Sequence, residues 1–183
     1  MTIPNILTLL RIILVPFVYL AISYYEPNQD HLRWAALSIF AIASLTDALD
    51  GFIVRKWNQR SNIGTFLDPV ADKLLLISTY LSIQFSKLPL KPPEWVVVAI
   101  VFREIIILGG LTVISLTSHK VTVRPNLLGK ATTFFQMISV VFILLQLPVA
   151  RPLWLIAVLL TVISCFVYMS REMTQLHEPK TRK

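Results

Sequence analysis

The sequence predicts an all-α integral membrane protein of six transmembrane helices. Three observations carry that prediction. The 183 residues are 55% hydrophobic, with a mean hydropathy of +0.69. Apolar runs near the ~20 residues that cross a bilayer's hydrocarbon core recur along the whole chain. The breaks between them are short and either polar or proline-rich. The spans read as residues 6–25, 32–56, 63–85, 95–117, 131–147 and 153–173. They form one domain over residues 1–176, followed by a short polar tail at 177–183.

The first span carries Arg11 and is followed by no small-residue cleavage site, so it reads as retained rather than as a cleaved signal. Glu26 to His31 separates it from the second, and Asn58 to Asn62 separates the second from the third. Pro69 is expected in the first turn of the third span, where a missing N–H does little harm. Pro89, Pro92 and Pro93 break the chain before the fourth span. The basic stretch from Ser118 to Lys130 precedes the fifth, and Pro148 to Pro152 precedes the sixth. Cys165, the single cysteine, sits in an apolar run as a small packed residue and excludes an intrachain disulfide.

A net charge of +7 in another setting would suggest nucleic acid. Here Lys and Arg mark the cytoplasmic loops. Ten (Arg55, Lys56, Arg60, Lys120, Arg124, Lys130, Arg171, Lys180, Arg182, Lys183) fall on one side. Four (Arg33, Lys87, Lys91, Arg151) fall on the other, and Arg11, Lys73 and Arg103 lie within spans. Both termini are therefore expected in the cytoplasm. Trp34, Trp95 and Trp154 begin spans on the sparsely charged side, as an aromatic belt does.

Four aspartates lie in this apolar setting: Asp47, Asp50, Asp68 and Asp72. A carboxylate at a membrane helix's centre costs about 2.5–3.5 kcal/mol on insertion scales. Four without partners would cost on the order of 10–14 kcal/mol. Divalent cations are the natural compensation. Asp47 and Asp50 are three apart and Asp68 and Asp72 four apart, so each pair shares one helix face. A short turn joins the two helices, and the four carboxylates are expected to converge between them. Asp47 lies nine residues, about 14 Å, from the charged end at Lys56, which places the site in the cytoplasmic half. Hard oxygen donors without a nearby His or Cys select Mg²⁺, Mn²⁺ or Ca²⁺ over zinc. Gly51 and Gly64 allow close approach of a bulky anion, or close packing of helices. Arg55 would reach phosphate, or simply flank the membrane.

The pattern Asp47-x2-Asp50-Gly51-x2-Val54-Arg55-x8-Gly64-x3-Asp68-x3-Asp72 resembles the signature of the CDP-alcohol phosphatidyltransferases, with Val54 where the family has alanine. The resemblance implies two Mg²⁺ ions, with Mn²⁺ as a substitute, held by Asp47, Asp50, Asp68 and Asp72. It also implies that Asp72 is the general base. A CDP-linked lipid would lie along Asn5, Thr8, Gly51, Arg55, Gly64 and Thr65, and CMP would leave. Asn5 and Thr8 also fit helix capping after Pro4.

Ile3-Pro4-Asn5-Ile6-Leu7-Thr8-Leu9-Leu10-Arg11, Arg103-Glu104 and Gly129-Lys130-x2-Thr133-x2-Gln136 resemble the bacterial phosphatidylglycerophosphate synthases of that family. The resemblance implies CDP-diacylglycerol as donor and glycerol 3-phosphate as acceptor, gripped by Arg11, Arg103 and Lys130. It further implies a homodimer in the bacterial cytoplasmic membrane, with the site facing the cytoplasm. An internal Arg103–Glu104 pair is the competing reading, disfavoured because sequence neighbours on a helix do not face each other. Leu111 stands where those synthases carry a second arginine. Cardiolipin synthases of the same family, which use phosphatidylglycerol and share loops like Arg124-Pro125-x4-Lys130, are the second reading. An ion or proton transporter is a remote third, since spans four to six hold no matching acidic half.

Overall fold

The computed structural model describes residues 3–57, 62–117 and 127–177, with side chains described for residues 5–47, 67–110, 112 and 127–167. Six helices follow in order: α1 (Ile3–Ser23), α2 (Asp30–Trp57), α3 (Asn62–Phe85), α4 (Glu94–Thr117), α5 (Leu127–Leu144) and α6 (Ala150–His177). Among the described residues there is no strand. Three segments, Asn5–Ser23, Leu127–Leu144 and Ala150–Val167, are long and apolar enough to cross a membrane among the described residues.

The ends follow local chemistry. Glu94 opens α4 directly after Pro92 and Pro93, and the Pro93 carbonyl accepts from Val96 N–H at 3.0 Å. An acidic residue there complements the positive end of the helix dipole. Pro152 falls in the first turn of α6, where no intrahelical donor is lost. Pro69 does not. It sits well inside α3, which begins at Asn62. The expected first-turn position is thus corrected: the helix extends N-terminally of Asp68, and the proline frees a carbonyl one turn earlier.

Among the described residues, α1 packs against both α2 and α3, whereas α2 and α3 touch each other only slightly. α5 packs on α6, and α4 bridges α3 to α6. Among the described residues, α1 joins the two aspartate-bearing helices.

The inward stripes divide the bundle lengthwise. At the end holding the C-termini of α1, α3 and α5, the interior is apolar: Val18, Ile22, Phe40, Ile83, Val97, Ile143 and Trp154. Toward the other end the same stripes turn polar. Thr8 and Arg11 continue α1, Lys73 continues α3, and Arg103 and Glu104 continue α4; all are buried. Tyr80 marks the boundary, donating to the Gln136 carbonyl at 3.0 Å and sharing a 2.5 Å contact with Ser139 Oγ. The outer faces carry exposed Phe17, Phe85, Phe102, Phe134 and Phe166. An apolar exterior around a polar interior suits a lipid solvent.

Candidate active site

The polar half of the bundle is a connected set of charges. On α1, Arg11 is fully buried, and its Nη1 lies 2.9 Å from Asp47 Oδ1 of α2. One turn earlier, Thr8 Oγ1 donates to Asp68 Oδ1 of α3. Spacing of three puts Thr8 and Arg11 on one face of α1, so one helix supplies a polar partner to an aspartate on each side. These contacts tie α1 to both α2 and α3.

Asp72, one turn beyond Asp68, has its Oδ2 3.6 Å from Lys73 Nζ. Lys73 Nζ in turn lies 2.7 Å from Glu104 Oε2 on α4 and donates to Thr133 Oγ1 of α5 at 3.4 Å. Glu104 Oε1 accepts from Arg103 Nη1 at 2.5 Å, and Arg103 Nη2 donates to Ser164 Oγ of α6 at 3.3 Å. Asp72 also lies within electrostatic reach of Asp47, Arg11 and Glu104. Five helices, α1 to α4 and α6, thus contribute charged or polar groups to one region, and α5 adds Thr133.

Several buried atoms in this region have no hydrogen-bond partner among the described residues: Asp72 Oδ1, Arg11 Nε and Nη2, and Arg103 Nε. Leaving such atoms unpaired costs about 1–3 kcal/mol each, and more for charged groups. A buried carboxylate oxygen and buried guanidinium donors in one region suit an anionic ligand together with a cation that takes oxygen ligands.

Asp47 pairs with Arg11, Asp68 with Thr8 one turn earlier on the same helix, and Asp72 with Lys73; Asp47 remains 42% exposed. The side chains of Asp50, Gly51, Arg55, Gly64 and Thr65 lie outside the described residues, as does that of Leu111. Among the described residues no three metal-ligating side chains close into one group. The donor set itself fits a hard cation: carboxylate oxygens, one of them without a hydrogen-bond partner among the described residues. Asn5 sits half-buried near the start of α1.

One expectation changes. The Arg103–Glu104 contact forms although the residues are adjacent, because both long side chains bend toward the bundle interior. Arg103 is therefore held by Glu104 and Ser164 on the inner face. Lys130 is exposed in the first turn of α5, next to Gly129. A Cβ on Gly129 would stand 3.6 Å from Arg103 Nη2, so the α5 start lies directly over that guanidinium.

Lys73 and Glu104 are central here, yet the sequence reading gave neither a role in the site. A signal existed for both: an ionisable residue inside an apolar span marks function. Glu104 in α4 and Lys73 in α3 are opposite in sign, and both lie inside apolar spans.

Comparison with known proteins agrees with this reading. Residues 1–167 match the family model for CDP-alcohol phosphatidyltransferase. The chain is 36% identical over 180 residues to a probable phosphatidylglycerophosphate synthase of Mycobacterium tuberculosis (strain H37Rv), covering 94% of this chain and 82% of that protein. It is 37% identical over 187 residues to the CDP-diacylglycerol–glycerol-3-phosphate 3-phosphatidyltransferase of Bacillus subtilis (strain 168), covering 92% and 93%. A probable CMP-forming cardiolipin synthase of Drosophila melanogaster is 35% identical over 170 residues, covering 84% of this chain and 48% of that protein. No solved structure matches significantly. With the family model matched over residues 1–167, and Asp47 and Asp68 both held by α1, the chain belongs to the CDP-alcohol phosphatidyltransferase family.

Proposed function

We propose that this protein transfers the phosphatidyl group of CDP-diacylglycerol to glycerol 3-phosphate, giving phosphatidylglycerophosphate and CMP. The observation that carries the reading is Asp72. Its Oδ1 is buried and without a hydrogen-bond partner among the described residues, and its Oδ2 lies beside Lys73. That leaves one carboxylate oxygen free to take a proton from an incoming hydroxyl.

The chain's own groups account for the chemistry. Asp47, Asp50, Asp68 and Asp72 would hold divalent metal, Mg²⁺ or Mn²⁺. Bound metal neutralises pyrophosphate charge and polarises the phosphorus. Asn5, Thr8, Gly51, Arg55, Gly64 and Thr65 bind the CDP half. Thr8 orients Asp68, and Arg11 fixes Asp47 while offering further donors to phosphate. Arg103, steadied by Glu104 and Ser164, and Lys130 hold the acceptor's phosphate. The acceptor hydroxyl loses its proton to Asp72 as its oxygen bonds to the lipid-side phosphorus, and the bond to CMP breaks. Water must be kept from competing for that phosphorus, and the burial of Lys73, Arg103 and Glu104 favours this.

All six helices are taken as spans of a single catalytic domain over residues 1–176, with both termini and the tail at 177–183 in the cytoplasm. The ten-to-four division of Lys and Arg supports that orientation. The membrane is taken as the bacterial cytoplasmic membrane, and the protein as a homodimer.

Phosphatidylglycerol as acceptor is the second reading. Leu111 in place of an arginine favours it, as does the likeness to a cardiolipin synthase. Purified protein with Mg²⁺ and CDP-diacylglycerol, offered each acceptor separately and scored by CMP release, decides between them. CMP release with glycerol 3-phosphate and none with phosphatidylglycerol is expected. The reverse would establish the second reading, and release with neither would remove both.

A further inference from the structure

At the end of the bundle opposite the aspartates, three connections meet around an open cavity of about 490 Å³, lined by Tyr25, Asp30, Arg33, Leu90, Gln146 and Arg151 together with two prolines. Its walls are fixed. Gln146, held at φ 57°, accepts from Leu90 N–H at 2.8 Å and donates to the Leu90 carbonyl at 3.2 Å and to the Ile143 carbonyl at 2.6 Å. That clamps the end of α5 to the α3–α4 connection.

The cavity's chemistry is cationic. Two arginines, Arg33 and Arg151, and one carboxylate, Asp30, line it. Asp30 Oδ1 lies 3.3 Å from Arg33 Nη2 and accepts from the Tyr25 hydroxyl at 3.5 Å, which orients the guanidinium. Arg33 Nε is buried and without a hydrogen-bond partner among the described residues, and the group lies 5.5 Å over the Trp34 ring. The first turns of α2 and α6 both end here, so two helix N-termini add positive potential. Nothing in the reaction uses these groups, which stand at the far end of the apolar half of the core.

Depth in the membrane identifies the anion. Trp34, Trp95 and Trp154 lie in the opening turns of α2, α4 and α6, the level at which aromatic rings meet headgroups. The lining residues Arg33 and Arg151 lie within one turn of Trp34 and Trp154 along α2 and α6. Exposed Tyr24, Leu147 and Val149 beside it offer apolar surface to acyl chains. We propose that this cavity is a binding site for the headgroup phosphate of an anionic phospholipid in the leaflet away from the aspartates.

The test uses the full chain in nanodiscs of phosphatidylserine or of phosphatidylcholine, with lipid retention read by native mass spectrometry. Wild type is expected to keep phosphatidylserine and to release phosphatidylcholine. Arg33→Gln and Arg151→Gln should each weaken retention about fivefold, the loss of one basic contact at a charged interface, with CMP release unchanged. Arg151 is exposed, so that variant remains informative if Arg33→Gln fails to fold. Asp72→Asn should retain the lipid normally. Equal retention in wild type and Arg151→Gln overturns the proposal. So does loss in Asp72→Asn alone, which would put the lipid in the catalytic cleft. Displacement by millimolar inorganic phosphate as readily as by added phosphatidylserine would mean a soluble anion and overturn the lipid assignment.

Discussion

At the residue scale, the proposed chemistry rests on how Asp72 is presented. One oxygen lies beside Lys73 while the other has no hydrogen-bond partner among the described residues. Asp72→Asn keeps the shape and removes the base, so kcat is expected to fall about 10²–10⁴-fold. CDP-diacylglycerol binding, read by equilibrium titration, should be largely spared; unreduced turnover would remove Asp72 from the role. Glu104 touches no predicted substrate group, yet it anchors both Lys73 and Arg103. Glu104→Gln is expected to lower activity about 10–100-fold, the usual cost of losing a partner that orients reacting groups. The CDP-diacylglycerol KM should stay close to wild type; a fall in donor affinity with kcat preserved would argue against an orienting role.

The residue scale also shows what sequence can reveal. Asp47, Asp68, Asp72 and Arg11 stand out because a charge in apolar sequence needs compensation, and that need is visible without coordinates. The particular pairing is not. Whether Arg11 meets Asp47, a phosphate or both depends on which helix faces which. Lys73 shows the same limit: its partner Glu104 is 31 positions away, and only the α3–α4 contact brings them together.

Among the elements, α1 has the largest organising effect. Its inward stripe begins with Thr8 and Arg11 and ends with Val18 and Ile22, so one helix serves both the polar site and the apolar core. The start of α5 plays a similar part against α4, where Gly129 lies over Arg103. A methyl group there would stand at ordinary contact distance, so Gly129→Ala should leave activity near wild type. Gly129→Val adds bulk against the guanidinium, at about 1–3 kcal/mol for overpacking. It should raise the KM for glycerol 3-phosphate more than that for the donor. Kinetics on both variants check this, and an unchanged acceptor KM in Gly129→Val would detach Arg103 from the acceptor. The place of Pro69 within α3 belongs to this scale as well. Pro69 resembles a helix opener, but a helix tolerates an interior proline when neighbouring groups satisfy the freed carbonyl, and the sequence alone does not say that they do.

For the whole molecule, the lengthwise division into polar and apolar halves links stability to cation supply. The aspartates repel one another when no metal is bound, and Arg11 and Lys73 offset only part of that charge. Chelation with EDTA should abolish CMP release and lower the thermal midpoint. Mg²⁺ at about 100 times its Kd should restore roughly 2.7 kcal/mol through binding to the folded state alone. Mn²⁺ should substitute and Zn²⁺ should not. Full activity in chelator would exclude a metal requirement.

The sequence by itself determined the helices, their approximate limits and the cost of burying charge in them, because hydropathy and helical period are local properties. It also carried the family pattern, since the spacing of the aspartates survives without knowledge of neighbours. The tertiary structure alone decided that α1 joins α2 and α3, that Lys73 joins Asp72 to Glu104, and that two arginines line a cavity at the opposite end. Those outcomes depend on packing between segments distant in the chain, where each buried charge takes the partner that geometry offers.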